Sequence, residues 1–270
     1  MLSNFLEEFL LKGYVVIPSC IASDLLAECQ SMMEEVLDDF NQEEMNFEEG
    51  LLRAGQKIRM VDLQDFFHEK IQNGGVKQQI FLGPKLLGVF IHLIGPDLAF
   101  TREGSVCINT SQVQDPFCQK KWHQEVWSGA GPSMLHLWAP IYASESSGKI
   151  QFIEGSHHWG LIPNSDREPT ELPEDITIAE PSIAVGDVAI FHSLTLHKTS
   201  PPTTSPRIAL ATSVRNIYHS LDGLARHSSW QNFHLSPMAD IERILGNPYL
   251  SPFRIVGGKK WYLSGQEDKY

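Results

Sequence analysis

From about Phe100 onward the chain is a succession of short β-rich runs: "SVCINTSQV", "MLHLWAPIYA", "KIQFIEG", "SIAVGDVAIFHS" and "RIALATSV". Turn residues break them at "GAGPS", "SESSG", "EGSHHWG", "VGD" and "TSPPTTSP". Many short strands at this spacing predict a sandwich or barrel, in which strands bury one shared face. The first hundred residues read differently. Leu25, Leu26, Cys29, Met32, Met33, Val36 and Leu37 recur at helical spacing, predicting a helix from Asp24 to about Phe40 capped by Ser23. "YVVIP" is a short strand between Gly13 and Pro18, and a second helix spans Lys85 to about Ile94, ended by Gly95-Pro96. The expected fold is mainly β with flanking α-helices, in one domain. Helical support covers about 1–98, the β core about 99–218, and a C-terminal extension about 219–270.

Composition narrows the function. With 270 residues the chain can build one large core, and no Pro/Gly/Ser-rich linker divides it. Its 42% hydrophobic and 20% charged residues are ordinary for a soluble protein. The formal net charge of −12 disfavours nucleic acid and anionic membranes as partners, since both select basic surfaces. Glu7 and Glu8 stand where a secretory signal would be basic or apolar. Cys20, Cys29, Cys107 and Cys118 form no CxxC pair, which fits a reducing cytoplasm.

The segment "KKWHQEVWSG" carries the chemistry. On an extended chain, residues two apart share a face, so His123 and Glu125 would point together and Gln124 away. One more histidine gives a two-histidine, one-carboxylate face with open positions, an arrangement suited to non-haem Fe(II). The downstream candidates are His136, His157, His158, His192, His197 and His219. His197 is the best, because it closes "GDVAIFHSLTLH" after a buried strand that includes Val185, Val188, Ile190 and Phe191. His192, five positions away, falls on the opposite face of a regular strand. His157 and His158 sit in a turn. In "RIALATSVR", Arg207, Ala209, Ala211 and Ser213 share one face, and an arginine followed by small residues leaves room for a bound acid.

These features in this order resemble the Fe(II)/2-oxoglutarate oxygenases, and more narrowly the phytanoyl-CoA dioxygenase family. The likeness is carried by "FLLKGYVVIP", "WHQE", Trp138 to Ile141, "SGKIQFIEGSHHWG" and "GDVAIFHSLTLHKTS" with "SPR". It covers the chain to about Asn216. The resemblance implies a double-stranded β-helix (jelly-roll, cupin-like) core and an enzyme that uses Fe(II), 2-oxoglutarate and O2 to hydroxylate a small molecule. It implies that His123, Glu125 and His197 are the metal ligands and that Arg207 pairs with the far carboxylate of 2-oxoglutarate. Thr199, Gln112 and Trp138 are implied neighbours of that cosubstrate. Most relatives carry Asp where this chain has Glu125. Relatives that halogenate lack the carboxylate altogether, so Glu125 argues against halogenation. A zinc hydrolase using the same three residues, and a cupin-like binding protein without catalysis, remain the alternatives. The segments expected to line the substrate mouth are the loop near Gly50 to Asp62, the Asn164 to Asp175 loop and "QNFHLSPMAD".

Overall fold

Helices dominate the first hundred residues and strands dominate the remainder of the core. The computed structural model describes residues 2–41, 45–110, 120–144, 146–200, 205–219 and 229–245. By its contacts the chain forms two units, 1–233 and 234–270. In the first unit the helices are α1 (Leu2–Lys12), α2 (Ser23–Asp38), α3 (Phe47–Lys57), α4 (Met60–Asn73), α5 (Val76–Phe81) and α6 (Pro84–Ile94). The strands are β1 (Tyr14–Ile17), β2 (Leu98–Thr101), β3 (Ser105–Asn109), β4 (Leu135–Tyr142), β5 (Ile150–Ile153), β6 (Asn164–Ser165), β7 (Glu168–Pro169), β8 (Ile178–Ala179), β9 (Val188–His192), β10 (His197–Thr199), β11 (Arg207–Asn216) and β12 (Trp230–His234), whose last residue falls in the second unit. The described part of the second unit contains α7 (Pro237–Leu245).

Several local expectations need correction. Ser23 does not cap α2; Ala22 holds the extended backbone a cap position requires, and Ser23 lies inside the first turn. The stretch from Gly50 to Asp62 is not a loop. It belongs to α3 and α4, and α3 starts with a reciprocal capping box between Asn46 and Glu49. The expected loop from Asn164 contains the β6–β7 hairpin, with Asp166 and Arg167 at positive φ in its turn. Val185 is 38% exposed and precedes β9 rather than joining it.

The large sheet runs β1-β9-β4-β11-β2-β12, with β3 also paired to β11. The small sheet runs β10-β5-β8. Strand alternation divides the side chains of the large sheet between two cores. Ile208, Leu210 and Val214 of β11, Val15 and Ile17 of β1, and Leu135 and Leu137 of β4 join the helices in one large core. On the opposite face, Tyr14, Trp138, Ala189, Phe191 and Ala209 meet Ile150 and Phe152 of the small sheet. Two antiparallel sheets closed over a shared interior form the jelly-roll arrangement, and the helices cover its outer face.

Candidate metal and cosubstrate site

His123 and His197 face each other across an isolated antiparallel bridge. Each donates its backbone N–H to the other's carbonyl, at 3.0 and 3.1 Å. In such a pair the two side chains leave on one side, and here the ring centroids stand 4.1 Å apart. Each ring is oriented by a main-chain carbonyl: His123 Nδ1 lies 2.7 Å from Lys121 O, and His197 Nδ1 lies 2.9 Å from Thr195 O. A carbonyl only accepts, so both Nδ1 atoms carry the proton. In the neutral form of each ring, Nε2 is then the lone pair that can ligate a metal.

Glu125 completes the group by a different route from the expected strand. It opens a 3₁₀ turn, Glu125–Ser128, and its N–H donates to Ser193 O at 3.0 Å. Its Oε1 lies 3.7 Å from His123 Nε2 and 3.3 Å from His197 Nε2. Burial alone pushes the Glu125 carboxyl up, but the two imidazoles outweigh it and hold the group well below the usual carboxylate range. Burial, reinforced by His123, pushes His197 down to about 4. Three atoms able to ligate a metal thus converge within 4.8 Å of one another, and among the described residues the buried His123 Nε2 has no hydrogen-bond partner. A cation resolves that arrangement, and the donor set suits ferrous iron.

Gln124, between the two ligands, is completely buried. Its Nε2 donates to Gly160 O and Leu194 O at 2.8 and 2.7 Å, and its Oε1 accepts from Ile162 N–H at 3.1 Å. It points away from the metal group, as alternation predicts, and fastens the ligand segment to two other loops. Phe152 and Phe191 press on the His197 ring, with centroids 6.1 and 4.5 Å away.

Arg207 begins β11 and is 2% exposed. Its guanidinium carbon sits 4.9 Å from the centre of the Trp138 ring, and one Nη donates to Gly148 O. Among the described residues its Nε has no partner, and burial pushes the group down to about 10. Among the described residues no carboxylate reaches it. A buried cation with a free donor is costly unless an anion pairs with it. Thr199 and His197 share one face of β10, so Thr199 is half-buried on the metal side. Gln112 lies outside the described residues. The other histidines stand apart: His192 accepts from Leu194 N–H, and His157 and His158 both reach Leu10 O at the end of α1. Trp122 and Trp127 pack around Ile153, Ile162 and Leu196, away from the Trp138 cluster.

Sequence reasoning left His136 unassigned. It is buried on β4 and bonds Ser193 and Ser213. With Glu125, Phe191, Ala211 and Trp230 it lines a cavity of about 220 Å3. The β2–β3 turn closes one side. Lys77, fully buried, donates to Arg102 O and Glu103 O and so holds that turn. Gly104 has φ +157 there, and a Cβ would collide with Ala211 O.

The sequence pattern of the family described as phytanoyl-CoA dioxygenase (PhyH) matches residues 9–209. Solved structures share the fold. The epimerase SnoN, in complex with Fe3+, alpha ketoglutarate and nogalamycin RO, matches with a TM-score of 0.58 at 16% identity, over 80% of this chain and 83% of its own. EctD from S. alaskensis, with 2-oxoglutarate and 5-hydroxyectoine, matches at 0.57 and 16%, over 81% and 77%. The non-heme monooxygenase ThoJ matches at 0.55 and 19%, over 78% and 77%. No curated protein matches the chain. The chain belongs to the phytanoyl-CoA dioxygenase family of Fe(II)/2-oxoglutarate-dependent oxygenases.

Proposed function

We propose that this oxygenase hydroxylates an aliphatic C–H of a small molecule, with His123, Glu125 and His197 holding the iron and Arg207 holding 2-oxoglutarate. Bound iron and 2-oxoglutarate would activate O2, which oxidises 2-oxoglutarate to succinate and CO2 and the substrate to its alcohol. The chain's own residues do the rest. Lys121 O and Thr195 O fix both imidazoles as Nδ1–H tautomers, so the Nε2 atoms are ready for the metal. Arg207 receives the far carboxylate on its planar fork, with Thr199 beside it, and Trp138 stacks beneath the guanidinium. Phe152 and Phe191 exclude water from the His197 side.

The single observation that carries this reading is a buried arginine that no carboxylate of the described residues reaches, in the same interior as the three ligating groups. A zinc hydrolase has no use for it. The test is anaerobic addition of Fe(II) and 2-oxoglutarate to purified protein. A visible charge-transfer band that needs both components, and succinate release that needs O2 as well, are expected. His197→Ala abolishes both. Full zinc occupancy with no such band would overturn the proposal.

A further inference from the structure

We infer that the cavity beside Glu125 takes a small molecule bearing a hydroxyl or amine, whose hydrogen-bond donor is received by Ser213 Oγ. This rests on the oxygenase reading above and names the substrate class for that same site.

The argument is an inventory of protons around His136. Ser193 Oγ lies 3.0 Å from Met134 O. A carbonyl only accepts, so the hydroxyl proton of Ser193 is committed there. Ser193 Oγ can then only accept from its second partner, His136 Nε2, also at 3.0 Å. His136 is therefore protonated on Nε2. The ring is 7% exposed and bonds two hydroxyls and no carboxylate. Burial disfavours its charged form, with Lys120 and His123 acting the same way and Glu125 opposing them. In the neutral ring Nδ1 is a bare lone pair, and its partner at 3.1 Å is Ser213 Oγ. Ser213 must donate there. Its only proton is used, and its oxygen has lone pairs alone left to offer.

Ser213 is half-buried in the cavity wall with Ala211, Met134, Leu137 and Phe191. Among the described residues no donor reaches its oxygen. A polar atom that can only accept, fixed in direction by a buried chain of three hydrogen bonds, discriminates between ligands. It accepts O–H or N–H, and it is left unpaired by an ether or a methyl group. Leaving such an atom unpaired should show as roughly tenfold lower selectivity.

The test uses matched pairs of small compounds in a succinate-release assay: alcohols with their methyl ethers, amines with their deamino analogues. Wild-type enzyme should favour the donor-bearing member at least tenfold in kcat/KM. Ser213→Ala should erase the preference while the KM for 2-oxoglutarate stays unchanged, and Ser213→Thr should keep it. Equal turnover of both members, or a preference that survives Ser213→Ala, overturns the inference. Silence from every pair in enzyme that still forms the Fe(II)/2-oxoglutarate band overturns the substrate class alone. Absence of the band overturns the oxygenase reading instead. A second measurement needs no substrate: 15N NMR of the zinc-loaded enzyme, assigned with His136→Gln. It should show His136 protonated on Nε2 only, and a proton on Nδ1 would overturn the inference.

Discussion

Arg207 and Trp138 lie on neighbouring strands, with the guanidinium carbon 4.9 Å from the indole centre. The ring supports one face of the cation, and Gly148 O takes one of its donors. No anion of the described chain neutralises it. On the function proposed above, the far carboxylate of 2-oxoglutarate balances that charge.

Arg207→Met should therefore act on cosubstrate rather than on folding. The KM for 2-oxoglutarate should rise roughly tenfold to a hundredfold, the scale of lost charged hydrogen bonds. Arg207→Lys should recover little, because a point charge cannot replace the fork. In thermal denaturation, added 2-oxoglutarate should raise the wild-type midpoint and leave that of Arg207→Met unchanged. A variant that stays responsive would show that the carboxylate binds elsewhere.

Gln124 is a second point of attack. Gln124→Ala orphans two half-buried carbonyls and one buried N–H at once. Each unmet group costs about 1–3 kcal/mol, so the urea midpoint should fall markedly. Iron stoichiometry should fall with it, since Gln124 separates two ligands. Normal iron content in a destabilised variant would mean that the bridge of His123 to His197 suffices without it.

Acid should weaken the metal-free protein in a defined window. Burial holds His192 and His197 at about 4, against an ordinary 6.5. Below pH 6.5 the unfolded chain binds protons that the folded chain refuses until about pH 4. Stability is complete above 6.5 and declines as pH falls toward 4. Urea midpoints at pH 7, 6 and 5 should decrease in that order, and His192→Gln should flatten the slope. A flat profile in the parent protein would contradict the buried neutral histidines.

The turn histidines should matter for stability alone. His157 and His158 both bond Leu10 O, an otherwise exposed carbonyl in the last turn of α1. His158→Ala should lower stability by about 1 kcal/mol, with the KM for 2-oxoglutarate unaltered. A change in that KM would place α1 in contact with the cosubstrate region.

Much of the architecture was legible because alternation is a strong signal. Along β11 the apolar residues at even positions and the small ones at odd positions fixed which side faces the interior. The ligand set was legible from spacing and order. The 3₁₀ turn at Glu125 was not, because "QEVWSG" has no residue that forbids extension. The anchors of Gln124 at Gly160, Ile162 and Leu194 are remote in sequence, so nothing local announces them. The helix at Gly50 was missed although its capping box, Asn46 and Glu49, stands in the sequence. The role of His136 depends on two serines from other strands and on proton directions that no linear pattern records.

Arg207 and Ser213 stand six positions apart on β11, whose pairing with β4 shifts register between Ile208 and Ala209. At roughly 3.3 Å per residue the strand spaces them by about 20 Å. An insertion or deletion of one residue would throw one of them to the far side, so the spacing changes only in steps of about 7 Å. β11 is thus a ruler with coarse graduations. On the roles proposed above for Arg207 and Ser213, new substrates would be accommodated by exchanging the side chain at its far mark, while the distance from anchor to reader stays fixed.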